Sequence, residues 1–150
     1  MKKHYIMLIL LAVIAGAVLP LQAGLNVQLG KSVHQPVFAA FASFLIGSIG
    51  LLAYLFVLKF DFSTMVQAKD VSPVVWIAGI LGAFYVTAVI FLAPKLGTAL
   101  TFSLVVAGQM VISLILDHYG LLGMPIKQIN WPRVIGVISL IIGVLLIRRY

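Results

Sequence analysis

Acidic side chains are almost missing from this sequence: there is no glutamate, and Asp61, Asp70 and Asp117 are the only aspartates among 150 residues. Cysteine is absent altogether. That removes disulfides, thiol nucleophiles, Cys-based zinc and iron–sulfur clusters. It also leaves the redox compartment unreadable. Charged residues of both signs make up only 9% of the chain, where soluble domains carry roughly a quarter. So few charges cannot cover a water-exposed surface, so lipid must solvate most of the chain. The remaining histidines, His4, His34 and His118, have no metal-ligand spacing. There is no Gly-rich phosphate loop, nucleophile–base pair or His-Glu-x-x-His motif. Neither an enzyme nor a cofactor or metal site is expected.

What is present is apolar: 63% of the residues are hydrophobic. A helix crosses the roughly 30 Å hydrocarbon core in about 20 residues. Five stretches meet or approach that length, at 5–28, 36–58, 73–93, 98–118 and 132–147. The expected fold is therefore an all-α integral membrane protein of five transmembrane helices in one membrane domain. Local punctuation agrees. Pro36 and Pro73 suit a first helical turn, and Ser72 is placed to cap the third helix. Pro94 is expected to end that helix, with Lys95 to Gly97 as a tight link into an antiparallel fourth. Gly120 and Gly123 should stop the fourth helix, and Asn130 with Pro132 should start the fifth. Trp76, Tyr119, Trp131 and Tyr150 fall near helix ends, where amphipathic rings favour the interface. Lys2 and Lys3 before an apolar run invite comparison with a secretory signal. Leu21 stands where cleavage wants a small residue, however, and the first helix is expected to stay.

The net charge of +7 comes from basic residues scattered between the apolar runs. That pattern anchors helices in lipid and does not build the clustered face that nucleic acid needs. Six Lys or Arg lie on the N-terminal side (Lys2, Lys3, Lys59, Lys69, Lys127, Arg133) and four on the other (Lys31, Lys95, Arg148, Arg149). So small a bias fits either an N-in protein or one that inserts both ways and pairs with its inverted twin.

Polar residues inside the spans require partners or a purpose. Gln22 and Asn26 lie one turn apart on the first helix, just after Pro20, which removes a backbone bond and is expected to kink it. They serve either as a binding element or as interhelical glue. Gln109 lies near the centre of the fourth helix, with Ser113 and Asp117 continuing its stripe. Asp117 is open to two readings, an interfacial ion pair with Arg133 or a proton- or ion-coupling site. No carboxylate lies at mid-membrane, so exchange of protons for cations through a buried acid has no support. Small residues recur at helical spacing: Ala39, Ser43, Gly47 and Gly50; Gly79, Ala83 and Thr87; Gly136 and Gly143. Gly47, Gly50, Gly79, Ala83, Gly136 and Gly143 are read as packing positions. Ser43 and Tyr85 join Gln22, Asn26 and Gln109 as candidate substrate contacts; Tyr85 belongs with Tyr54, Phe84 and Phe102 to a possible aromatic lining.

Five short helices leave little interior for a passage, whereas many transporters set the site between two inverted repeats. One chain supplies one repeat.

Leu21-Gln22-Ala23-Gly24-Leu25-Asn26 with Leu29, then Ser43-Phe44 and Gly47, resembles the YdcZ-like family of the drug/metabolite transporter superfamily. Pro94-Lys95-Leu96-Gly97, Gly108-Gln109, Asp117-His118-Tyr119-Gly120 and Arg133-x-x-Gly136 with Gly143 extend the resemblance in order along the whole chain. It implies a bacterial inner-membrane protein, a five-helix unit of a ten-helix assembly. Its partner would be an antiparallel copy of itself or a sister five-helix chain. By position, Gln22, Asn26, Gln109 and Asp117 would be the family's polar membrane residues. The small multidrug resistance proteins are distantly similar, but their membrane-buried glutamate has no counterpart in the first helix. A transporter of an unidentified small molecule, exporter or facilitator, is the expected function. A non-transporting membrane scaffold or accessory subunit is the rival.

Overall fold

A computed structural model describes residues 2–149. Tyr150, expected at the interface, lies outside the described residues. The helices are α1 (Lys2–Ser32), α2 (Pro36–Val57), α3 (Ala78–Leu96), α4 (Thr98–Tyr119) and α5 (Trp131–Arg149). Each is part of one of five segments long and apolar enough to cross a membrane, and no strand occurs among the described residues. The five-span, all-α architecture is thus the one composition calls for.

α1 runs to Ser32, four residues past its expected end, and three further features differ from the sequence reading. Pro94 lies inside α3, which continues to Leu96. Proline forfeits a bond to the carbonyl four residues upstream, but its own φ is helical, so a last partial turn survives it. The break between helices falls instead on Gly97, at φ +82°, a conformation that only glycine adopts freely. Ser72 makes no side-chain cap. The chain there runs through 3-10 turns over Pro73–Ile77 before α3 begins at Ala78. A further stretch of 3-10 helix, Phe62–Asp70, occupies what was read as plain loop. Asp61 caps it by accepting the Ser63 N–H at 2.9 Å, and that bond holds the exposed carboxyl below its ordinary pKa.

The chain divides after Pro94 into two compact units. In the first, α1 turns into α2 through His34, at φ +55°. Gln35 caps α2, its side chain accepting the Val37 N–H, and Pro36 occupies the first turn. Small residues of α2 make the contact: Ala39 and Ala40 are buried together with Ile90 of α3, and Val27, Leu29 and Val86 pack against them. Gly30 is the reason for the close approach. A methyl there would lie 3.3 Å from the Pro36 Cα and 3.6 Å from the Ile90 Cγ2. Where lipid is as apolar as leucine, backbone proximity of this kind drives helix association.

In the second unit α4 ends at Gly120, whose left-handed φ of +61° directs its N–H to the Leu116 carbonyl. A Cβ there would meet Ile126 Cγ1 at 2.7 Å. Asn130 starts α5: its side chain accepts the Arg133 N–H at 3.1 Å and its carbonyl the Val134 N–H. Val137 and Val144 are the buried residues of α5. Only 6% to 11% of each span is buried within the chain.

Candidate functional site

The polar residues of α1 converge on one hydroxyl of α2. Gln22 Nε2 donates to Ser43 Oγ at 3.3 Å, and Asn26 Nδ2 donates to the same oxygen at 3.3 Å. Both distances are long for an N–H···O bond. Asn26 is 7% exposed, on the inward face it shares with Ala23 and Gly30. Gln22, a turn earlier, is exposed. Pro20 precedes them inside α1, which continues past it to Ser32.

Beside this triad lies a cleft of about 240 Å³, lined by Gln22, Ser43, Phe44, Gly47, Ser48 and Leu51. The five α2 positions fall within an arc of about 140° at 3.6 residues per turn. Gly47 thus forms a wall of the cleft. Phe44 is fixed from behind: a methyl on Gly82 of α3 would lie 3.3 Å from its Cζ. Phe44, Ser48, Leu51 and Gly82 are missing from the sequence-based set. The i, i+4 series Phe44–Ser48 and Ser43–Gly47–Leu51 is the signal that finds them, once Ser43 is known to face α1. Tyr85 is half-buried on α3 but does not line the cleft; Tyr54 and Phe84 are exposed.

The glycines read as packing positions behave differently. A Cβ on Gly47, Gly50, Gly79, Gly136 or Gly143 would find nothing within 4 Å, and Ala83 is exposed. The close approaches between spans belong to Gly30 and Gly82.

In the second unit Gln109 is exposed on α4 and has no hydrogen-bond partner among the described residues. Gly143 lines a cleft of about 420 Å³ between α4 and α5, with Phe102, Val106, Leu140 and Val144 as apolar walls and Ser103 its one polar residue. At the end of α4, Asp117 Oδ2 pairs with Arg133 Nη2 at 2.6 Å. Arg133 Nη1 also donates to the Lys127 carbonyl at 2.9 Å, and the Lys127 N–H to the Asp117 carbonyl at 2.8 Å. Ile129 N–H donates to His118 Nδ1 at 3.2 Å. Residues 117–133 thus form a clasp that ties the connecting loop to both helices. The pair is 28% to 29% exposed, so solvent screening limits what the charge adds. No cluster of metal-ligating side chains occurs among the described residues.

Comparison with known proteins gives two matches and one blank. The model of the family described as "Putative inner membrane exporter, YdcZ" matches residues 7–146. Over 104 residues the chain is 32% identical to the inner membrane protein YdcZ of Escherichia coli (strain K12), the alignment covering 67% of this chain and 69% of that one. No solved structure matches.

Proposed function

The chain belongs to the YdcZ family of the drug/metabolite transporter superfamily, and from that premise we propose that it moves a small molecule by alternating access as half of an antiparallel dimer. It is a multi-pass protein of the bacterial inner membrane, and its family is one of membrane transporters rather than enzymes. The second half is an inverted copy of the same chain or a sister five-helix chain.

One observation carries the reading: the polar cleft is present but incomplete. Gln22, Asn26 and Ser43 are gathered inside apolar spans, where such groups border a cavity far more often than lipid. Yet the cleft measures about 240 Å³, below the roughly 300–1,000 Å³ of ligand pockets. A second cleft facing the first brings the space into that range and sets it at a repeat interface, where transporters bind substrate. The unpaired amide of Gln109 supports the same arrangement. In hydrocarbon an unsatisfied amide is costly, and its partner belongs on the opposing chain. The small faces of Gly47, Gly50, Gly79 and Gly136, free of contact within the chain, are suited to that interface.

Two measurements test this. Asn26→Ala and Gln109→Ala should each lower flux from proteoliposomes while leaving assembly intact. If flux survives both, the residues serve as glue and a scaffold or accessory role takes over. C-terminal tags should appear on both faces of the membrane. A single orientation removes the homodimer and leaves the sister chain as partner.

A further inference from the structure

Resting on that reading of the cleft, we infer that the transported molecule is uncharged, with polar groups that both donate and accept hydrogen bonds, as in a small polyol or primary amide. The three triad side chains carry five N–H or O–H hydrogens and six lone-pair sites. Their two mutual bonds, each an amide N–H donated to Ser43 Oγ, consume two of each, leaving three donors and four acceptors open. Ser48 adds a hydroxyl with no partner among the described residues, directed at the same cleft. Among the described residues no side-chain N or O atom that is fully buried lacks a partner. The open Oδ1 of Asn26 is therefore not sealed inside protein.

Against this supply of neutral polar groups, formal charge is missing. None of the six lining residues is ionisable. Asp61 lies in a loop and Asp117 is committed to Arg133 in the other unit, and there is no other acid except Asp70 at the end of the 3-10 stretch. A permanent cation or anion moved into a low-dielectric cleft without a counter-charge meets a desolvation cost that amide dipoles do not offset. A hydroxyl or primary amide meets partners of both kinds. Phe44, seated on Gly82, and Leu51 offer an apolar wall for the carbon skeleton. At roughly 30 Å³ per water-sized group, one cleft of about 240 Å³ already has room for the eight non-hydrogen atoms of erythritol, so the completed site admits a molecule of that size.

The test uses proteoliposomes of the full chain, with erythritol entry followed by stopped-flow light scattering. Tetramethylammonium and methanesulfonate, followed by ion-selective electrodes, serve as charged probes of smaller size. Erythritol entry should exceed that of protein-free liposomes. Ser48→Ala should lower the protein-dependent part about fivefold, the equivalent of one neutral hydrogen bond. Gln22→Leu should lower it at least as far, with unchanged elution of the purified variant confirming assembly. Movement of tetramethylammonium or methanesulfonate without erythritol overturns the substrate class while leaving the transporter reading standing. No movement of any probe through well-assembled protein overturns both. Erythritol entry indifferent to Ser48→Ala and Gln22→Leu also overturns the inference, because the route then avoids this cleft.

Discussion

Ser43 is the single oxygen on which two amides of another helix depend, and removing it tests whether the triad is held together as described. Ser43→Ala deletes both bonds at once, whereas Gln22→Ala and Asn26→Ala each delete one. Interhelical hydrogen bonds in membrane proteins average about 0.6 kcal/mol by double-mutant cycles, with an upper end near 1.7. At 3.3 Å these two belong at or below the average. Each pairwise coupling should therefore be about 0.5 kcal/mol, and Ser43→Ala alone should cost roughly 1 kcal/mol. The Asn26 pair should be the stronger, because Asn26 is buried and Gln22 is open to the cleft. Reversible unfolding in mixed detergent–SDS micelles, followed by tryptophan fluorescence, gives the energies for the four corners of each cycle. Couplings indistinguishable from zero for both pairs would refute the shared-acceptor geometry. A coupling well above 1.7 kcal/mol would instead make the triad a structural lock, too tight to open for a substrate.

Three further outcomes follow from the packing. Gly120→Ala should destabilise by about 1–3 kcal/mol, since it adds strain at a left-handed position and drives a methyl to 2.7 Å from Ile126; a thermal melt within error of wild type would contradict that. Gly30→Ala should lower the melting temperature, with the Pro36 backbone 3.3 Å away, while Gly47→Ala and Gly50→Ala should leave unfolding of the single chain unchanged. Weaker dimerisation of those two variants, measured by cross-linking in membranes, places them at a contact between chains. Arg133→Gln should cost about 1–2 kcal/mol, mainly through the lost hydrogen bonds to Asp117 and Lys127 rather than through charge. High salt should therefore reproduce only a small part of that loss.

The spans were legible because the bilayer imposes a length, and few alternatives satisfy it with 9% charged residues. Gly120 and Asn130 were legible because each solves a local backbone problem with its own atoms. Pro94 misled because a proline marks the bond it lacks, upstream at Ile90, and not the residue at which the helix must stop. The 3-10 stretch Phe62–Asp70 has neither a long apolar period nor a glycine boundary, and only the Asp61 cap hints at order. In the candidate site, Gln22 and Asn26 could be paired from spacing alone. Their meeting with Ser43 is a contact between helices that no local pattern encodes. The glycine stripes show the same gap from the other side. Spacing says which face permits close approach, and only the fold says that Gly30 and Gly82 use it.

The clasp at residues 117–133 has a mechanical consequence. With Arg133 gripping both the end of α4 and the loop backbone, and His118 pinning Ile129, the two spans cannot slide past one another without first releasing several bonds. At that end α4 and α5 are tied together. A displacement of that loop therefore reaches the adjoining ends of both helices at once.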